Sequence, residues 1–310
     1  NAHRDLVAAL GWPDRAPDIS WIEIPMGPDG EKKPHPIICP VACFSKAANE
    51  HPDFWKTRFR GDLGSCEKYW NGICHHDIVT KHPTLNSREF DKTIALGLHA
   101  DGAPMTKTES LFTIAYNSLH AKGTTMQTRF VFSCIKKSDI VEGTMEALWD
   151  YFAWAMNTLA SGCTPHHDWL GNPLHGGGEP LAKGWKACCV QVRGDWEFYA
   201  QCLGLPRWDH ADNCCFVCDA SNSDRSKSWT DASVGAGWRP TIKTHESWLA
   251  EKYASGLPLC NLFKILGLRL EGIMVDTLHA VDQGLATHAI ANVFVEVMGN
   301  FGSNQKTQAE

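Results

Sequence analysis

A chain of 310 residues with 43% hydrophobic and 21% charged residues has the balance of a folded protein, which excludes a disordered chain. Its length allows one large core or a core with a second module. The formal charge of −6 counts against a broadly basic nucleic-acid surface, because phosphate contacts need clustered Lys and Arg, and patches such as Lys56, Arg58 and Arg60 are short.

No run reaches the roughly 18 uninterrupted apolar residues that a membrane helix needs. The residues from Asn1 to Arg15 carry no apolar run behind a basic start, and a chain opening on Asn is expected to be a fragment. Residues 1–88, rich in Pro, His and Asp, read as an irregular region with short helices, one of them around Asp53–Arg60. Within it Cys39, Cys43, Cys66, Cys74, His75 and His76 match no strong zinc spacing. The cysteine count is 13, an odd number in tight local sets, which suits reduced thiols or metal better than a disulfide framework.

Residues 89–205 are regular. Thr93 to His99 reads as a buried strand ending in the turn signal Asp101-Gly102-Ala103-Pro104. Leu111 to Leu119 and Arg129 to Ile135 follow as strands of an antiparallel meander. From Val141 to Leu159 the apolar period becomes helical, with Leu148, Trp149, Phe152, Met156 and Leu159 at three- and four-residue steps. A Gly- and His-rich loop then leads to a fourth strand, Trp185 to Val192, and a helix, Trp196 to Leu203. Residues 206–255 hold Cys214, Cys215 and Cys218 within a polar insertion, and residues 256–310 close with an expected helix from Val281 to Met298.

The order of three strands, helix, strand, helix, insertion and final helix is that of an α/β fold with a ribonuclease-H-like mixed sheet. Asp101 ends the first strand, Asp195 follows the fourth, and Asp276 and Asp282 flank the start of the last helix. Such a layout gathers carboxylates distant in sequence into a site for hard divalent cations. Two such ions activate a water or 3′-hydroxyl and stabilise the leaving oxygen. Taken singly, each acid has a plainer role: Asp101-Gly102 is a common turn dipeptide, and Asp195 suits a helix N-cap.

Four motifs, Leu-His-Ala-Asp101-Gly-Ala-Pro, Arg-Gly-Asp195-Trp-Glu-Phe-Tyr-Ala, Cys215-Phe-Val-Cys218 and Asp276-Thr-Leu-His279-Ala-Val-Asp282-Gln-Gly284, together resemble the CACTA/EnSpm-type DNA transposases over residues 90–300. The resemblance implies DNA strand cleavage and transfer in the nucleus on transposon ends, with Asp101, Asp195 and Asp282 holding two Mg²⁺ or Mn²⁺ ions. Asp276 is the alternative third acid, since the family's usual Glu position is Val281 here. His279 would orient a carboxylate or touch the scissile phosphate. The resemblance also implies a structural Zn²⁺ on Cys215, Cys218 and His245, with Cys214, His210 or Cys260 as the fourth ligand. A homo-oligomer is compatible with this reading.

Two rivals remain open. One is a catalytically inactive or domesticated relative that binds DNA or protein. The other is an unrelated zinc hydrolase built on His166, His167, Asp168 and His175, which lacks the helical His-x-x-x-His geometry. Of the tryptophans, Trp185, Trp196, Trp208 and Trp248 are expected mostly in cores, while Trp229 and Trp238 are the best candidates for exposed base contacts.

Overall fold

The computed structural model describes residues 19–274 other than Trp208 and Leu257, together with Ile290 and Val293. Residues 1–273 form one compact unit and residues 274–310 a second. Asp276, His279, Asp282 and the expected helix from Val281 to Met298 lie outside the described residues.

The protein is α/β, built on a seven-stranded mixed sheet with helices against it. The strands are β1 (Ile19–Pro25), β2 (Lys32–Ile38), β3 (Thr93–Pro104), β4 (Ser110–Ser118), β5 (Phe130–Lys136), β6 (Lys186–Gly194) and β7 (Ile273–Met274), in the spatial order β1-β2-β5-β4-β3-β6-β7. β3, β4 and β5 form the antiparallel meander, and β6 pairs with β3 in parallel. β3 is central, which explains why Thr93 to Leu98 are all buried while most other strands alternate.

The alternation divides the sheet into two faces. Phe112, Ile114, Tyr116 and Phe132 point into the core, under α3 (Thr144–Ser161) and α4 (Trp196–Leu203). Phe152 of α3 lies against Tyr116 and Phe132, and Phe198 of α4 against Phe112 and Trp149, as tilted aromatic pairs with centroids 5.1–6.3 Å apart. Trp149 and Phe152 are essentially fully buried, so truncating either to Ala costs about 3–5 kcal/mol. On the opposite face His99, Asp101, Thr113, Asn117 and Arg193 stay half-buried. Glycines in the left-handed region, Gly143 at φ 86° and Gly162 at φ 71°, bound α3.

The N-terminal residues are more regular than their composition suggests. β1 and β2 form a hairpin that continues the sheet past β5 through the pair Ile37↔Ser133, where His35 Nε2 and Ser133 Oγ lie 2.8 Å apart. Two helices follow, α1 (Pro40–Glu50) and α2 (Ser65–Gly72). Phe44 of α1 enters an aromatic cluster with Trp55 and Phe59, and Phe59 stacks on Phe130 of the sheet. The expected turn at Asp101-Gly102 is instead paired strand, Asp101↔Thr113 and Gly102↔Phe112, and the chain reverses between Met105 and Glu109. Among the described residues no helix is long and apolar enough to cross a membrane.

Candidate active site

Asp101 and Asp195 are brought together by the parallel pairing of β3 and β6. The last registered pair is Ala100↔Gly194, so the two acids occupy the next position on neighbouring strands, whose spacing is about 4.8 Å. The approach is close because residue 194 is glycine: a Cβ there would sit 2.6 Å from Ala100 O and would overlap the Phe198 ring. Asp195 is the N-cap of α4, its Oδ1 accepting the Phe198 N–H at 2.7 Å. The N-cap role expected of Asp195 is thus the one seen here, on the same side chain that the sequence offered as a metal ligand. Both acids are half-buried.

Two further charged side chains flank the acids. Lys137, just after β5, reaches across Gly102, whose Cβ would come 2.7 Å from its Nζ. Its ammonium pairs with Glu197 in the first turn of α4 at 3.1 Å. Down the same face, Arg193 precedes Asp195 by two residues and His99 precedes Asp101 by two, in register with one another. The period of two in a strand was the available signal for these neighbours. Lys137 carried none, because its place depends on where β5 ends.

Among the described residues no three His, Cys, Asp or Glu side chains come together as a metal-binding group. The neighbouring carboxyls of Asp101 and Asp195 offer oxygen of the type that hard cations take.

The cysteine insertion is partly assembled. Cys215 Sγ accepts the Val217 N–H at 3.4 Å, and Cys218 Sγ, beside it, accepts the Ala220 N–H. Backbone donors aimed at both sulfurs two residues on suit thiolates, and the pair fits two ligands of a zinc ion. Burial pushes the Cys218 thiol up to about 11. The other expected ligands are engaged elsewhere. Cys214 donates to Ala220 O at 3.2 Å, and His210 Nδ1 accepts the Asn213 N–H at 3.1 Å. His245 Nδ1 accepts the Leu270 N–H at 3.0 Å, with the ring stacked near Trp248. Cys260 is half-buried near Cys202, Glu146 and Asp150.

The N-terminal cysteine set is dispersed. Cys43 is buried near Tyr116, Cys66 donates to Arg60 O at 3.6 Å, and His76 Nδ1 accepts the Ile78 N–H. All thirteen cysteines are free thiols. In the His-rich loop, Asp168 accepts from Leu170 N, Asn172 N and Asn172 Nδ2 at 2.8–2.9 Å, so its carboxylate organises the loop. Those bonds, led by the Asn172 amide, hold it below its ordinary range. His166, His167 and Asp168 line a cleft of about 660 Å³ with Trp154 and Trp169, without forming a metal group. Of the tryptophans read as base contacts, Trp229 is 58% exposed, whereas Trp238 donates to Asp231 O at 2.8 Å.

Compared with protein-family models, with curated proteins and with solved structures, the chain matches none.

Proposed function

We propose that this chain is a ribonuclease-H-like, transposase-type domain that cleaves and joins DNA strands by two-metal phosphoryl transfer. The single observation carrying the reading is the register Ala100↔Gly194, which makes Asp101, within β3, and Asp195, just past the end of β6, neighbours across the ladder. The supporting topology is the run β5-β4-β3-β6-β7, an antiparallel meander whose first strand takes the next strand in parallel. α3 and α4, which follow β5 and β6, lie against one face.

In this reading Asp101 and Asp195 hold Mg²⁺ or Mn²⁺, which supplies the activated oxygen nucleophile and neutralises charge on the phosphate. Asp282, or Asp276, would complete the ligand set. Asp195 is held in orientation by the Phe198 N–H, and Lys137, tethered to Glu197, places positive charge beside the acids where phosphate oxygens gather charge. The partner is DNA, acted on in the nucleus. A structural Zn²⁺ on Cys215 and Cys218 would close the insertion, which has little core of its own.

A second reading, an inactive relative that binds DNA or protein, is favoured by one observation: Val281 stands where the resembled family usually has its third acid, Glu. The test is nicking of a labelled duplex in Mg²⁺ and in Mn²⁺ by the chain and by Asp101→Ala and Asp195→Ala. Cleavage lost in both variants is the expected result. A folded parent chain that never nicks would transfer the assignment to the inactive relative.

A further inference from the structure

We propose that Arg193 and Arg129, with Asn117 and His99, form a cradle for a DNA backbone phosphate on the half-buried face of the sheet, adjoining the Asp101–Asp195 pair. The cradle rests on the DNA reading above but uses different residues and makes a prediction that needs no chemistry.

Arg193 is on β6, in register with His99 of β3. Its guanidinium lies flat over Gly97, where a Cβ would overlap it, and its Nη2 donates to Asn117 Oδ1 of β4. Its Nε is buried without a hydrogen-bond partner. Among the described residues no carboxylate pairs with it. Arg129, just before β5, sets its Nη1 3.3 Å from His99 Nδ1 and is close enough to act on Arg193 electrostatically.

A buried arginine Nε without a hydrogen-bond partner is costly to leave so, and the planar fork of arginine suits the oxygens of a phosphate, which would supply an acceptor there. The glycine at 97 keeps the space for the guanidinium. Only two residues, about 6.6 Å along a strand, separate Arg193 from Asp195 and His99 from Asp101. A backbone threading the cradle thus passes the acids. Positive charge is thus concentrated locally in a chain whose net charge is −6.

The test is fluorescence anisotropy of a labelled DNA duplex and of a single strand, in EDTA at about 50 mM salt, with inorganic phosphate as competitor. The parent chain binds, and Arg193→Gln and Arg129→Gln each weaken binding at least about tenfold. Each also reduces the salt slope by about one phosphate contact. Gly97→Ala, which displaces the guanidinium with no change in charge, weakens binding too. Lys92→Gln, beyond the opposite end of β3, does not. Arg129 is half-buried just before β5, outside the sheet ladder, so its variant keeps the test valid if Arg193→Gln unfolds, as thermal melts will show.

A parent chain that does not bind DNA, or arginine variants that bind as it does, overturn the cradle. If those variants also still nick DNA, the catalytic reading survives without it. If the parent binds through the arginines but never nicks in Mn²⁺, the cradle stands and the catalytic reading falls.

Discussion

Asp195 carries two roles that substitution separates. Asp195→Ala removes the hydrogen bond to Phe198 N, at 2.7 Å, together with the charge at the N-terminus of α4. Loss of an N-cap costs about 1 kcal/mol and loss of the favourable charge–dipole interaction about 0.3–1 kcal/mol. The sum is about 1–2 kcal/mol, and at about 2–4 °C per kcal/mol the Tm falls by about 2–8 °C. Asp195→Asn and Asp195→Ser keep a capping oxygen and should lose only the charge term, about 1–4 °C. The metal effect is different. At a hundredfold excess over Kd, Mn²⁺ stabilises the parent by about 2.7 kcal/mol, and all three variants should lose most of that gain. The assay is thermal unfolding followed by circular dichroism, with and without Mn²⁺. If Asp195→Asn keeps the full Mn²⁺-dependent rise of the parent, Asp195 is a cap alone and the metal reading of this residue is wrong.

Three further outcomes follow from the same geometry. Gly194→Ala places a Cβ 2.6 Å from Ala100 O, backbone that cannot swing away, so it should destabilise by about 1–3 kcal/mol in denaturant melts and disturb the approach of the acids. His82, buried against Gly267, is held down at about 4 by burial. Its folded value lies below the unfolded one, near 6.5, so the unfolded chain binds the extra proton: stability is complete above about pH 6.5 and falls as pH drops toward 4, by up to about 3 kcal/mol. Melts from pH 7.5 to 4 check the sign, and His82→Gln should flatten the slope. Zinc analysis of the purified chain should find one equivalent, lost in Cys215→Ser and Cys218→Ser; a zinc-free parent would reduce the cysteine pair to ordinary thiols.

The meander, α3 and α4 were legible in the sequence because each is a strong periodic segment whose apolar face does meet the core. The β1–β2 hairpin was not. Lys32-Lys33-Pro34-His35-Pro36 holds two prolines, which demote a run as a strand. The structure tolerates them because β2 registers with β5 only at Ile37, so no ladder bond to β5 is asked of Pro34 or Pro36. Asp101-Gly102 misled as a turn for a related reason. The dipeptide is turn chemistry in isolation, yet here the glycine makes room for Lys137 and the strand runs on to Pro104. The pairing of the two acids depended on β3 and β6 being adjacent, which the order of elements implied. The arginines beside them were missed because the formal charge of the whole chain was weighed instead of the two-residue alternation along each strand.

Capping and the proposed metal binding at Asp195 need not compete. A carboxylate offers about four lone-pair sites on two oxygens, and the cap uses one oxygen. A backbone N–H fixed by the first turn of a helix holds that carboxylate in one orientation, which is the service that groups outside the ligand shell give to metal ligands. Gly194 lets the strand and helix meet without a side chain between them, so the position of the carboxylate is set by backbone on both sides. Asp101 is fixed in turn by its pairing with Thr113 and by the parallel ladder to β6. A pair of acids held by main chain rather than by long side chains is suited to a reaction in which catalysis is mostly positioning and electrostatics.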